Sequence, residues 1–141
     1  MTTRTPARTP VRTPARILAA LAVLVSAYVH LYEWRSGMRH VHVIGPLFIV
    51  NIVAGVAIAV LLFTWRHWLA PFLALGFGAT TLGGFALATT GAGLFGDHEK
   101  WQGSYIWLAA ASEVVAILAG LYAVSRELRA APLRERSLVS H

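Results

Sequence analysis

Residues 43–63 read VIGPLFIVNIVAGVAIAVLLF. The run carries no charged side chain, and its one amide is Asn51. A helix that crosses the hydrocarbon core of a bilayer needs roughly 20 mostly apolar residues, and this run is long enough. Backbone groups in lipid must pair within their own segment, so the run predicts a membrane-spanning helix. Three more apolar segments flank it, at Ile17–Tyr32, Leu69–Thr90 and Tyr105–Ser125. The last two meet the same length requirement, and the first does so if it extends to Trp34.

The expected fold is therefore an all-α membrane protein, with four transmembrane helices in an up-down-up-down bundle. The expected organisation is a disordered basic tail at 1–16, a membrane domain at 17–125 and a basic cytoplasmic tail at 126–141. Composition agrees. The chain has 141 residues, 57% of them hydrophobic and 13% charged. A soluble domain carries about 25% charged residues, and a small one has a large surface to cover. The chain has no cysteine. That excludes disulfide frameworks, thiol redox catalysis, cysteine-ligated zinc or iron–sulfur, and covalent c-type haem.

The formal net charge is +6, but it is gathered at the two ends. Arg4, Arg8, Arg12 and Arg16 precede the first apolar segment, and Arg126, Arg129, Arg134 and Arg136 follow the last. Nucleic acid is not the partner that such a pattern implies, because no basic folded surface is formed. The lipid bilayer is, with anionic headgroups at the basic tails, where each arginine near the surface is worth about 1 kcal/mol. The tail repeats Thr-Pro-x-Arg three times, and proline at every fourth position opposes a helix there. With the termini in the cytoplasm, nine Arg or Lys lie inside and three outside, Arg35, Arg39 and Lys100. This positive-inside bias places the chain in the cell membrane with both termini cytoplasmic. A rival reading takes the first segment as a signal peptide cut after Val25-Ser26-Ala27.

Small residues recur every four positions: Gly76, Thr80, Gly84 and Ala88 in the third segment, Ala109, Glu113, Ala116 and Gly120 in the fourth, and Asn51, Gly55 and Ala59 in the second. Such faces permit close helix packing, either within one bundle or between the copies of a homodimer or larger membrane complex.

Glu113 is the most informative residue. It lies inside the fourth segment, roughly 12 Å from the outer end at helical rise. Ionisable groups at that depth usually face the bundle interior and serve a function. Ser26, Asn51, Thr80 and Thr81 fall at similar depth, with His30 one turn above Ser26. These six residues form the candidate binding pocket, opening outward, where a carboxyl can take a proton, a cationic ligand or a quinol hydroxyl. The bland alternative is structural hydrogen bonding between helices. A second cluster at the outer face comprises His30, Glu33, His40, His42, Asp97, His98 and Glu99. Imidazole with carboxylate suits a transition metal, although no established metal spacing is present. A b-type haem would need His30 and a second axial ligand such as His42 or His98. Phosphate-binding and hydrolytic motifs are absent.

The runs Ile44-Gly45-Pro46-Leu47-Phe48-Ile49-Val50-Asn51, Thr81-Leu82-Gly83-Gly84, Gly93-Leu94-Phe95-Gly96 and Glu113-Val114-Val115-Ala116 resemble those of small four-helix integral membrane proteins of actinobacteria. The resemblance spans about residues 28–120. It implies the four-helix fold and a relation between Asn51 and Glu113, and it implies no activity. In size, and in holding one intramembrane glutamate, the chain is also similar to small multidrug exchangers, whose glutamate lies in the first helix rather than the fourth. Three functions follow as expectations. The leading one is a binding or assembly subunit with a polar pocket centred on Glu113 and Asn51. The others are an outer-face metal or haem redox protein and a dimeric proton-coupled transporter using Glu113. Catalysis is the less expected outcome.

Overall fold

The computed structural model describes the backbone of residues 13–139 and the side chains through residue 130. Four helices follow one another: α1 (Pro14–Ser36), α2 (Ile44–Thr64), α3 (Leu69–Ala88) and α4 (Ser104–Val139). A single 3-10 turn at Met38–His40 lies between α1 and α2. All four helices are long and apolar enough to cross a membrane, α4 over Ser104–Ala130. The protein is a small multi-pass membrane protein with an up-down-up-down, all-α bundle. The α1–α2 and α3–α4 connections share one end, here called the loop end. The start of α1, the α2–α3 connection and the continuation of α4 share the other, the terminal end.

Two expected boundaries shift. The tail was expected to run through residue 16, but α1 begins at Pro14. Proline is tolerated in the first helical turn, where its missing N–H has no partner to lose. Thr13 then serves as N-cap, its hydroxyl accepting from the Arg16 N–H at 3.4 Å. The last copy of the Thr-Pro repeat thus starts a helix. The tail segment at 1–12 lies outside the described residues. At the other terminus the helix expected to end at Ser125 runs on to Val139.

The bundle is packed inside out relative to a soluble protein. Its core is built largely of small side chains, among them Ala19, Ala20, Ala59, Ala70, Ala74, Ala116 and Ala119, with Val23, Leu62 and Phe77 filling between them. The large aliphatics point outward, with Val53 and Leu118 each 62% exposed. Such an apolar exterior suits hydrocarbon and would aggregate in water. Small residues at the seams let backbones approach, which is how helices associate in lipid.

Three glycines at two seams set the approach. In α2, a Cβ at Gly55 would stand 3.0 Å from the Val23 carbonyl of α1. In α4, one at Gly120 would stand 2.8 Å from the Pro71 carbonyl of α3. In α3, one at Gly78 would stand 2.6 Å from the Glu113 carbonyl. The face expected to pack α3 is therefore corrected. Gly76, the first member of the Gly76–Thr80–Gly84–Ala88 row, has open space around it, and Thr80, Gly84 and Ala88 line a cavity. The seam with α4 instead uses Gly78, which meets Glu113, Ala116 and Ile117, and Pro71 and Leu75, which meet Gly120.

Arg16 is the second correction. Expected in a solvated tail, it is 3% exposed. Its Nε donates to the Leu62 carbonyl at 3.1 Å, and one terminal nitrogen donates to the Trp65 carbonyl. Its other terminal nitrogen pairs with Glu127 of α4 at 2.6 Å. A guanidinium thus satisfies carbonyls left over at the C-terminal end of α2 while meeting a carboxylate.

Two outcomes follow for stability in detergent. Gly78→Val should lower the unfolding free energy by about 1–3 kcal/mol through overpacking, whereas Gly76→Val should leave it nearly unchanged. Arg16→Met should lower the melting temperature more than Glu127→Gln does. The first change orphans two carbonyls and a carboxylate, and the second leaves the guanidinium on its carbonyls. Circular dichroism melts of the four variants check both.

Candidate functional site

At the loop end the helices are unevenly joined. α1 packs along α2 and α4, and α3 packs along α4, while α2 and α3 touch much less. The gap between them is a cleft of about 350 Å³. All four helices contribute to it, together with Met38, Leu94, Asp97 and Glu99 from the connections. A cleft of this size falls in the range that holds small-molecule ligands. Its walls are mostly apolar, with Phe48 of α2 and Phe77 and Phe85 of α3 prominent.

Five of the six expected pocket residues line this cleft: His30, Asn51, Thr80, Thr81 and Glu113. The sixth, Ser26, is fully buried behind them. It donates from Oγ to Glu113 Oε1 at 3.0 Å, joining α1 to α4. Across the cleft, Asn51 Nδ2 donates to Thr81 Oγ1 at 2.8 Å, joining α2 to α3. The Thr81 hydroxyl donates in turn to the Phe77 carbonyl at 2.8 Å. Asn51 and Glu113 are thus related by facing one cleft rather than by a bond to each other.

The hydrogen bonding of this layer is incomplete. Glu113 is 2% exposed, and among the described residues only its Oε1 has a partner. Asn51 Oδ1 is buried and has no hydrogen-bond partner among the described residues. A buried acceptor such as Asn51 Oδ1 is costly unless met, so it marks where a donor from a ligand gains most. His30 Nδ1 lies 2.8 Å from the Ser26 carbonyl. A carbonyl only accepts, so Nδ1 carries the proton and Nε2 is left as the ring's other hydrogen-bonding atom. The ring leans on Phe48 with centroids 4.9 Å apart.

The mouth of the cleft is set by the α3–α4 connection. Leu94 and Asp97 exchange both backbone hydrogen bonds at 2.9 Å across a two-residue turn. Phe95 and Gly96 occupy that turn with φ of 51° and 84°. Positive φ at both central positions is the geometry of a tight hairpin turn, and it aims Leu94 and Asp97 back at the cleft. The Glu99 N–H donates to the Ala88 carbonyl at 3.0 Å, which ties the connection to the end of α3. Trp101 packs edge-on against Phe85, with centroids 4.6 Å apart.

The expected metal cluster is not assembled. Among the described residues, no three His, Asp or Glu come together as a group that could hold a metal ion. His30, Glu33, Asp97 and Glu99 line the cleft, while His40, His42 and His98 stand exposed outside it. His40 Nε2 accepts from Arg39 Nε at 2.9 Å, and His98 Nε2 meets the Gly91 carbonyl at 3.3 Å. Nor does the cleft present a histidine pair for haem, since His30 is the one histidine lining it among the described residues. The Val25-Ser26-Ala27 step lies in the middle of α1, with Ser26 and Ala27 buried in the bundle.

Sequence reasoning missed the wall formed by Met38, Phe48, Phe77, Phe85 and Ile106. In a helix apolar on every side, no periodicity separates a residue facing a cleft from one facing lipid. Comparison with known proteins finds no matching family model, no similar curated protein and no similar solved structure.

Glu99 gives a readout of the mouth. Burial pushes its carboxyl above the ordinary value, and the charges of Asp97 and Glu33 push the same way, against a backbone hydrogen bond at Lys100. A carboxyl raised in the folded state binds its proton more tightly there than in the unfolded chain. Its contribution to stability is full below the ordinary carboxylate range and fades as pH rises through the raised value. Between mildly acidic and neutral pH, the melting temperature of Glu99→Gln should therefore fall less than that of the wild type. Parallel curves for the two proteins would show that folding leaves the proton affinity of Glu99 unchanged.

Proposed function

We propose that this small multi-pass membrane protein is a binding protein, and that the cleft centred on Glu113 and Asn51 takes a small amphipathic molecule. The observation that carries this reading is the pairing of an apolar-walled cleft with two unmet acceptors at one layer: Asn51 Oδ1 and the second oxygen of Glu113. A ligand with an apolar body and a hydrogen-bond donor would fill the first and satisfy the second. With the termini in the cytoplasm, as the arginine distribution favours, the cleft opens outward. A ligand then enters from the external face or through the α2–α3 gap, where Val50 is 62% exposed.

Ser26 holds Oε1 of Glu113 and leaves the other oxygen for the ligand. Thr81 holds the amide nitrogen of Asn51 and leaves its carbonyl. The two helix-to-helix bonds therefore orient acceptors rather than consume them, an arrangement suited to binding and without need of a nucleophile.

The test uses the protein in nanodiscs of zwitterionic lipid, with adamantanol as a compact alcohol probe and empty discs as background. Saturable binding of one probe per chain is expected. Gly84→Phe, which places a ring in the cleft where only Leu94 stands near, should abolish it. Glu113→Gln should weaken it about tenfold, the loss typical of a charge-assisted hydrogen bond. Absence of saturable binding to the wild type by both the alcohol and the amine of the same shape, or full binding to Gly84→Phe, would sink the reading.

A further inference from the structure

The cleft concentrates acid. Four of the protein's six acidic residues line it: Glu33 from α1, Asp97 and Glu99 from the α3–α4 connection, and Glu113 from α4. No Lys or Arg lines it among the described residues, although the whole chain carries a net +6. The basic residues nearest in sequence are engaged or lie elsewhere. Arg39 donates to His40, Arg35 is exposed at the end of α1, and Lys100 is exposed beside Glu99 but not in the wall. His30 is the one other titratable side chain in the lining.

Like charges brought together destabilise the empty site, and a concave, low-dielectric wall focuses their field. An acidic cluster alone would mean little. Here it stands at the mouth of a formed cleft, above a carboxyl 2% exposed that has one unpartnered oxygen among the described residues. The wall between mouth and floor is apolar and aromatic, and aromatic faces also attract cations. Resting on the binding role proposed above, we propose that the ligand is a lipophilic cation: a molecule with one protonated amine on a compact apolar body. The mouth carboxylates Glu33, Asp97 and Glu99 raise its local concentration and reject anions. Glu113 receives the ammonium, and the Asn51 carbonyl accepts one of its N–H bonds. The phenylalanine walls take the apolar body.

Three probes of one shape separate charge from fit: adamantylamine, adamantanol and adamantanecarboxylate, each titrated onto the protein in zwitterionic nanodiscs near neutral pH at low salt. The amine should bind about tenfold tighter than the alcohol, and the carboxylate weakest of the three. Added salt should narrow the gap between amine and alcohol, since exposed mouth charges are screened. The combined variant Glu33→Gln, Asp97→Asn, Glu99→Gln should shrink the ratio of amine to alcohol affinity by about tenfold. If the variant does not fold, the order of the three probes on the wild type decides alone. Equal binding of amine and alcohol would overturn the cation assignment and leave the binding cleft standing. Tightest binding of the carboxylate would overturn it as well. No binding by any probe would remove both readings together.

Discussion

Two ionisable groups buried along one seam govern this bundle. Arg16 and Glu113 are 3% and 2% exposed, and both are met across the interface between α1 and α4. At the terminal end Arg16 reaches Glu127, and midway along the seam Ser26 reaches Glu113. A polar or charged group left alone in hydrocarbon is expensive, so each demands a partner at one height on the facing helix. Two such demands, separated along α1, set the register of α4 against α1. Alanines at 19, 20, 116, 119 and 123 let the two backbones close around them.

The other helices hang from this spine. α2 docks on α1 where Gly55 meets Val23 and Ala27, and its last carbonyls are capped by Arg16. α3 docks on α4 where Gly78 meets the Glu113 carbonyl and Gly120 meets Pro71. Each outer helix has one close partner in the spine, and nothing draws α2 and α3 tightly together. Their main polar tie is Asn51 to Thr81. The cleft is the consequence, and it opens beside the buried carboxyl because the spine already holds Glu113 at that depth. Packing and cleft therefore share one cause, since the seam that positions Glu113 also leaves the gap that it lines.

The loop end completes the site with different physics. A two-residue turn with positive φ at Phe95 and Gly96 sends Asp97 and Glu99 back over the mouth. A backbone hydrogen bond from Glu99 to Ala88 fixes that connection to α3. The acidic residues are therefore held near one another by main-chain geometry, against their mutual repulsion. Burial raises the proton affinity of Glu99 most, and the charges of Asp97 and Glu33 add to it, so part of that cost is expressed there. A cation in the mouth would relieve it, which links the energetics of the empty site to the chemistry of its proposed occupant.

Much was legible in the residues themselves. Four apolar runs of spanning length dictate four helices, because lipid offers the backbone no other partner. A lone carboxylate among them marks an interior face, because its exposure to lipid is too costly; of the residues grouped with Glu113 by depth, Asn51, Thr80 and Thr81 line the same cleft and Ser26 bonds to Glu113 behind it. Only tertiary structure decided which small residues make the seams. Gly76 and Gly78 are alike as residues, and only the neighbouring helix distinguishes them. It also decided that Arg16 turns inward, that the loop-end histidines scatter while four acidic residues line one cleft, and that α2 and α3 part. Each of these depends on distances between segments far apart in sequence. The apolar pattern is silent about such distances, because a helix surrounded by lipid is hydrophobic on every side.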